Sequence, residues 1–495
     1  MSQPAPIKHT WSASDRFVPR AVVRPMQRLL EAETAGAAVM LVAAAIALLW
    51  ANSPWWSSYR DLWSTPLVVE LGDLIRLDHL SLQTWVNDAL MTVFFLLVGV
   101  EIKREVIHGD LRSVRSVSLP IIAAAGGMIV PAAIYAAFNH SSDSSHGWGI
   151  PMATDIAFAV SVVTLAGKRV PLGAKVFLLT LAVADDIGAI VVIAVFYTGE
   201  LALGWLAAAL VGLGVVFAMR RGDVQSLAPY LAVGAFIWLA LLESGVHATL
   251  AGVALGLLTP AWPFRSPRHF PRDGRRLLDR IEAAYYDRVL TQSEFEQNEV
   301  LINEVSRLAM YSTSPLERLE SRLAPWVTYV IVPVFALANA GVRFSGDAVT
   351  GLLDDPVVLG VGLGLVIGKT IGVLSASVLA VKSGLGRLPD GTTWRHMFGL
   401  AVAAGVGFTV ALFVTSISFP DDPARADSAR IGILLGSLTA GILGYLLLRT
   451  NPPVDGRTGA PGAGGQASVA AAAAGTDDGR GVEAIRPPAT PVGGR

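Results

Sequence analysis

The chain has 495 residues, of which 53% are hydrophobic and 16% charged, against roughly a quarter charged in an ordinary soluble domain. Mean hydropathy is +0.54, which excludes a single soluble core and, at about 20 apolar residues per crossing, supplies about a dozen membrane spans. The absence of cysteine excludes disulfides, thiolate catalysis and iron–sulfur chemistry. A balance of 38 basic and 39 acidic residues makes no case for nucleic acid.

Residues 1–35 are polar and basic and lack the apolar core and cleavage site of a secretory signal, so they form a cytoplasmic N-terminal segment before an uncleaved first span. Apolar stretches follow at 36–52, 84–102, 119–138, 151–167, 174–197, 203–219, 228–242, 246–260, 326–341, 357–381, 397–418 and 430–449. The outer connection 52–83 is where a strand is expected, because Gly72-Asp73 lies between two β-prone runs within Pro66–Leu77. A hairpin there would present an edge to a second copy of the chain and support a homodimer; an ordered loop is the competing reading. Residues 262–325 balance ten acidic against ten basic side chains. Apolar spacing at Leu277, Leu278, Ile281 and at Val300, Leu301, Val305, Leu308 predicts surface helices in a long cytoplasmic loop. Residues 451–495, rich in Gly, Ala and Pro, cannot bury enough apolar surface to fold and are expected to be a disordered cytoplasmic tail. The transmembrane domain is then 36–450.

Lysine and arginine placement tests the count independently, since cytoplasmic connections collect them. With the N-terminus inside, only Arg60, Arg76, Arg343, Arg425 and Arg430 fall outside and Lys369 lies within a span, leaving 32 of 38 cytoplasmic. The expected architecture is therefore all-α and polytopic, with twelve spans and both termini cytoplasmic.

Ionisable groups inside a bilayer are costly enough to need a reason. Span 4 holds Thr154 and Asp155, span 5 holds Asp185 and Asp186, span 10 holds Lys369, and span 2 holds Asp88 toward its outer end. A structural ion pair explains any one of them. Three carboxylates facing one lysine, however, leave a formal charge of −2 unless a cation arrives. Successive helix positions point about 100° apart, so one of Asp185 and Asp186 can face an ion while the other faces the lysine; the sequence leaves open which. Helix breakers mark the same region. Span 4 is interrupted near Pro151 and Thr154-Asp155, and span 11 near Gly405, Gly407 and Thr409. Spans 3–5 and 10–12 have opposite orientation and each holds its broken helix second, which is an inverted repeat. Broken helices expose partial positive charge at N-termini and partial negative charge at C-termini; Asp155 is suited to the first and Lys369 to the second.

Carboxylate, hydroxyl and carbonyl oxygens suit Na⁺ or Li⁺ rather than soft metals. Burial favours the protonated form of a carboxylic acid and a neighbouring lysine favours the carboxylate, so H⁺ and Na⁺ compete for the same group. If two acids each lose a proton when one Na⁺ binds, exchange is electrogenic and draws on about 2.3 kcal/mol per charge per 100 mV. Whether the second proton comes from an Asp or from Lys369 stays open.

The strings FFLLVGVEIKRE from Phe94, ATDIAFA from Ala153, LAVADDIGAI from Leu181, SGVHATLAG from Ser244, FALANAGV from Phe335, IGKTIG from Ile367 and GVGFT from Gly405 together resemble the bacterial NhaA-type Na⁺/H⁺ antiporters across residues 25–450. The resemblance implies a pH-regulated antiporter of the bacterial inner membrane that serves sodium extrusion and pH homeostasis, with no cofactor beyond the transported Na⁺, Li⁺ and H⁺. It implies that Asp185 and Asp186 carry the ion and protons, the second being the first choice for direct coordination. Thr154 and Asp155 would lie in the unwound crossing, and Lys369 would pair with a carboxylate when the ion is absent. Glu101, Lys103, Arg104, Glu105 and Glu320 match the region used for pH response, His247 matches a histidine linked to pH dependence, and Asp88 a charged position of span 2. A solvated i, i+4 cluster at a helix end competes for Glu101–Glu105, and a satisfied interfacial histidine for His247. The loop 262–325 and the tail are longer than the family pattern.

Three other functions compete, of which an ion channel needs a continuous polar pore, whereas the intramembrane charges are clustered rather than lined up across the bilayer. A sodium-coupled symporter of a small organic anion needs more polar or basic residues in the spans than one lysine. An intramembrane aspartyl protease built on Asp155 and Asp186 lacks a Gly-x-Gly-Asp context, and a lysine among the acids is wrong for a proton-sharing dyad.

Overall fold

The computed structural model describes residues 34–71, 75–77, 80–109, 114–140, 143–199, 201–222, 224, 227–263, 269–285, 292–344 and 354–453. Nearly all of the expected N-terminal segment, and the expected tail from 454 on, lie outside the described residues, as does the Gly72-Asp73 turn.

The elements are α1 (Ala35–Ala51), α2 (Trp56–Ser64), β1 (Val69–Leu71), β2 (Ile75–Leu77), α3 (Leu82–Ile107), α4 (Val114–Phe138), a 3₁₀ segment Asp143–Met152, α5 (Ile156–Ala166), α6 (Leu172–Phe196), α7 (Leu203–Arg221), α8 (Leu227–Glu243), α9 (Leu250–Leu258), α10 (Phe270–Tyr285), α11 (Gln292–Ser312), α12 (Pro315–Asn339), α13 (Pro356–Lys382), α14 (Trp394–Ala403), α15 (Phe408–Ser418) and α16 (Pro423–Arg449). Among the described residues seven helices are long and apolar enough to cross a membrane, and up to ten spans result if each of three bent pairs counts as one. The expected twelve is reached only by adding α8 and α9, which at 17 and 9 residues fall short of that test. The expected hairpin is present. β1 and β2 pair antiparallel with Glu70 opposite Arg76.

Two expected boundaries shift. The fourth span begins at Asp143 rather than 151, because its first half is a polar, glycine-containing 3₁₀ segment that hydropathy passes over but tertiary packing buries. The ninth begins at Pro315 rather than 326. Its first two turns carry Glu317, Arg318, Glu320 and Arg322, which hide it from an apolar window, yet Ser314 and Glu317 form a capping box with Pro315 in the first turn. The loop before it is shorter by that amount and contains the helices α10 and α11, which pack on each other.

Large apolar side chains such as Val42, Leu210, Val211 and Leu438 point outward, a belt that suits lipid and would be a liability in water. Inside, the core joins α1, α3, α12, α13, α15 and α16 through residues such as Met40, Met91, Phe95, Phe335, Leu365 and Phe413. Among the described residues, α4 and α13 make the most extensive helix–helix contact. Glycine permits it: a Cβ on Gly126 would strike the Gly372 carbonyl and one on Gly372 would strike the Gly126 carbonyl. The backbones touch here, one turn from Lys369. Gly372→Ala is expected to destabilise by about 1–3 kcal/mol through overpacking against backbone that cannot yield, read as a lower Tm in detergent; an unchanged Tm would show that the crossing tolerates separation.

Candidate ion-binding site

Two helices are broken at mid-length, and their breaks meet. The 3₁₀ segment Asp143–Met152 joins α5 at a 41° bend, and α14 joins α15 at 43°. Across the breaks the Asp155 N–H donates to the Val406 carbonyl at 2.7 Å. Gly405 and Gly407 are needed here for space rather than for backbone twist: Gly407 has φ −102°, and a Cβ on it would lie 2.9 Å from the Ala153 carbonyl oxygen. Pro151 sits two residues before the first break.

Asp155 N-caps α5, its Oδ1 accepting the Phe158 N–H at 3.2 Å. Its Oδ2 accepts the Thr409 N–H at 3.1 Å and the Thr409 hydroxyl at 2.6 Å. Thr409 is the second residue of α15. One carboxylate thus serves the positive N-termini of the two half-helices that begin at the crossing, α5 and α15, the role its position predicts.

Asp185 and Asp186 sit near the middle of α6, facing the break. Asp185 and Lys369 are both 0% exposed, and the Lys369 ammonium ion-pairs with Asp185 Oδ2 rather than with a half-helix C-terminus. The π turn Gly364–Gly368 in α13 ends immediately before Lys369 and sets its direction, a device hydropathy cannot reveal. The Thr154 hydroxyl lies 2.8 Å from the same Oδ2 and 2.9 Å from the Ala404 carbonyl. With one hydrogen, it donates to one oxygen at a time. The Oδ1 atoms of Asp185 and Asp186 are buried without a hydrogen-bond partner. Among the described residues no group of three His, Cys, Asp or Glu side chains converges on a metal position. What the pair presents is hard oxygen with unfilled lone pairs, next to a neutralised ion pair. Chemically, such an arrangement suits a proton or a small hard cation.

The remaining expected residues form separate groups. Arg104 ion-pairs with Glu320 of α12 and lies 3.5 Å from Glu105, while Lys103 donates to the Leu257 carbonyl at 2.6 Å. Glu101, Lys103, Arg104 and Glu105 are only partly exposed, so the cluster is an interhelical contact and not a solvated helix end. His247 Nε2 lies 2.8 Å from the Tyr197 carbonyl, tying the loop after α8 to the end of α6. Asp88 occupies a π turn of α3, where its carbonyl receives Thr92 and the Trp238 indole N–H; neither belongs to the site. Sequence reasoning overlooked Thr409 as a site residue and the Ala404 and Val406 carbonyls. For Thr409 a signal existed: a hydroxyl two residues after the second glycine of the break.

A protein-family model described as Na⁺/H⁺ antiporter 1 matches residues 27–448. Similar proteins include the Na(+)/H(+) antiporter NhaA of Oleidesulfovibrio alaskensis, 42% identical over 428 residues that cover 86% of this chain and 94% of that protein. The Na(+)/H(+) antiporter NhaA 2 of Sorangium cellulosum is 43% identical over 445 residues, 89% of this chain and 93% of its own. The NhaA of Rhodopirellula baltica is 43% identical over 431 residues, 87% and 95% respectively. Among solved structures, the sodium proton antiporter MjNhaP1 from Methanocaldococcus jannaschii aligns with 87% of this chain and 99% of its own at 13% identity and a TM-score of 0.44.

Proposed function

The chain belongs to the NhaA-type Na⁺/H⁺ antiporter family and exchanges Na⁺ for H⁺ as a multi-pass membrane protein; on that premise we propose that Asp186 is the group at which Na⁺, or Li⁺, and H⁺ compete. The observation that carries this is the unpartnered, buried Oδ1 of Asp186 beside an Asp185 already held by Lys369. With Asp186 protonated and the Asp185–Lys369 pair intact, the cluster is neutral. Na⁺ binding that releases only the Asp186 proton leaves it neutral, and exchange would move no charge. When Na⁺ also recruits Asp185, Lys369 loses its counter-ion, and release of a second proton from the ammonium makes the exchange one Na⁺ for two H⁺. Thr154 supplies a further oxygen, and Asp155 keeps the crossing of the half-helices together.

Around this site the proposed topology is twelve spans with both termini cytoplasmic in the bacterial inner membrane, α4–α6 and α13–α16 forming the inverted repeats. The β1–β2 hairpin joins two copies through its open edge. Glu101, Lys103, Arg104, Glu105 and Glu320 set the pH response, whereas His247, held by the Tyr197 carbonyl, acts as a structural tie. Purified protein in liposomes, given fixed Na⁺ and pH gradients and a variable K⁺-diffusion potential, tests the charge balance. Net exchange should reverse at the potential whose energy, about 2.3 kcal/mol per 100 mV for each charge moved, balances the combined Na⁺ and H⁺ gradients. Flux independent of potential would overturn the two-proton scheme.

A further inference from the structure

The half-helices α5 and α14 are tied at the crossing, and they are tied a second time at their opposite ends. His396 lies in the first turn of α14 and is 4% exposed. Its Nδ1 accepts the Thr393 N–H at 3.1 Å and lies 2.9 Å from the Thr393 hydroxyl, the reciprocal half of a capping box. An Nδ1 that accepts leaves the ring hydrogen on Nε2. Nε2 lies 3.0 Å from the carbonyl oxygen of Arg169, just past the C-terminus of α5. The Arg169 guanidinium in turn donates to the Arg449 and Asn451 carbonyls at the end of α16, at 2.5 and 3.0 Å. One residue beyond α5 therefore holds the start of α14 through its main chain and the end of α16 through its side chain.

We propose that His396 is a positioning residue for Na⁺/H⁺ exchange, acting through its Nε2 hydrogen bond to the Arg169 carbonyl, which fixes α14 to α5 at the ends remote from the cation. At the crossing itself the ties are Asp155 N–H to Val406, Thr154 to Ala404 and the two bonds from Thr409 to Asp155. At about 1.5 Å per residue the ring lies about 12 Å along α14 from Ala404. Apolar side chains of α5 and α14 also pack in one buried cluster, but such burial is non-directional; a hydrogen bond at each end sets one mutual orientation, and with it the placement of Thr154 against Asp185. The inference rests on the site described above, but not on which acid binds Na⁺.

Two variants separate this from helix capping. In His396→Asn the side-chain oxygen replaces Nδ1 as the acceptor for Thr393 but is too short to reach residue 169. In His396→Gln the amide reaches it. Initial rates of Na⁺-dependent H⁺ release are measured in proteoliposomes against Na⁺ concentration, with Tm of each protein in detergent. His396→Asn is expected to keep Tm near that of the wild type and the apparent KM for Na⁺ within twofold, while turnover drops at least threefold; His396→Gln is expected to restore turnover. A wild-type turnover in His396→Asn, or a His396→Gln as slow as the Asn variant, would overturn the proposal, as would a loss of rate that only follows a loss of Tm. Asp186→Asn assayed alongside reports on the ion site itself, so failure of one idea is not mistaken for failure of the other.

Discussion

Asp186→Asn is expected to abolish Na⁺-dependent H⁺ release while leaving the protein at least as thermally stable as the wild type. The substitution keeps volume and removes both the negative charge and the exchangeable proton. At about 4 Å and an effective dielectric near 20, one charge pair is worth about 4 kcal/mol, or about three powers of ten in Na⁺ affinity, so no practical salt concentration compensates. Stability moves the other way. The wild-type Asp186 Oδ1 is buried without a partner, so the acid stays neutral only while a proton or a cation is bound, whereas an amide of the same volume never has a charge to desolvate. Loss of exchange with retained or raised Tm separates a transport residue from a structural one. Asp186→Asn proteoliposomes that exchange at the wild-type rate would remove this residue from the site.

The site was more legible in the sequence than the fold around it. Charge inside apolar stretches is a one-dimensional signal, and it marked Asp155, Asp185, Asp186 and Lys369 before any geometry was known; breakers at Pro151, Gly405 and Gly407 marked the crossing in the same way. The β-prone runs flanking Gly72-Asp73 became β1 and β2 for a similarly local reason. What escaped was settled by long-range contact. The choice between Asp185 and Asp186 as lysine partner depends on how α13 is rotated, and the π turn Gly364–Gly368 that rotates it has no simple pattern. The polar first half of the fourth span is a helix because the fold buries it: Tyr135 and Tyr197 hydroxyls donate to its Ser144 and His146 carbonyls. The start of α12 at Pro315 was hidden by charged residues, one of which, Glu320, is there to meet Arg104.

Lys369→Ala is expected to destabilise the protein by about 3–5 kcal/mol, the usual result of removing one partner of a buried pair. Lys369 and Asp185 are both 0% exposed, so water cannot replace the ammonium, and Asp185 must be neutralised by a proton or a cation. This gives the defect a chemical signature. A cation that binds the folded state and not the unfolded chain stabilises by about 2.7 kcal/mol at a hundred times its Kd, so Na⁺ should raise the Tm of Lys369→Ala more than that of the wild type. N-methylglucamine chloride at equal ionic strength, too bulky to enter, should not. Removing the stranded charge should act likewise: Lys369→Ala/Asp185→Asn is expected to recover most of the lost stability, because replacing both members of a buried pair leaves no unpaired charge. If the double variant is as unstable as the single one and Na⁺ has no differential effect, the instability comes from the cavity left by the lysine stem, and the ion pair is not what holds α6 to α13. If both recover, the charge moved per Na⁺ in Lys369→Ala becomes the decisive number. Exchange that falls to one H⁺ per Na⁺ identifies the ammonium as the second proton carrier, whereas an unchanged two assigns that proton to a carboxylate.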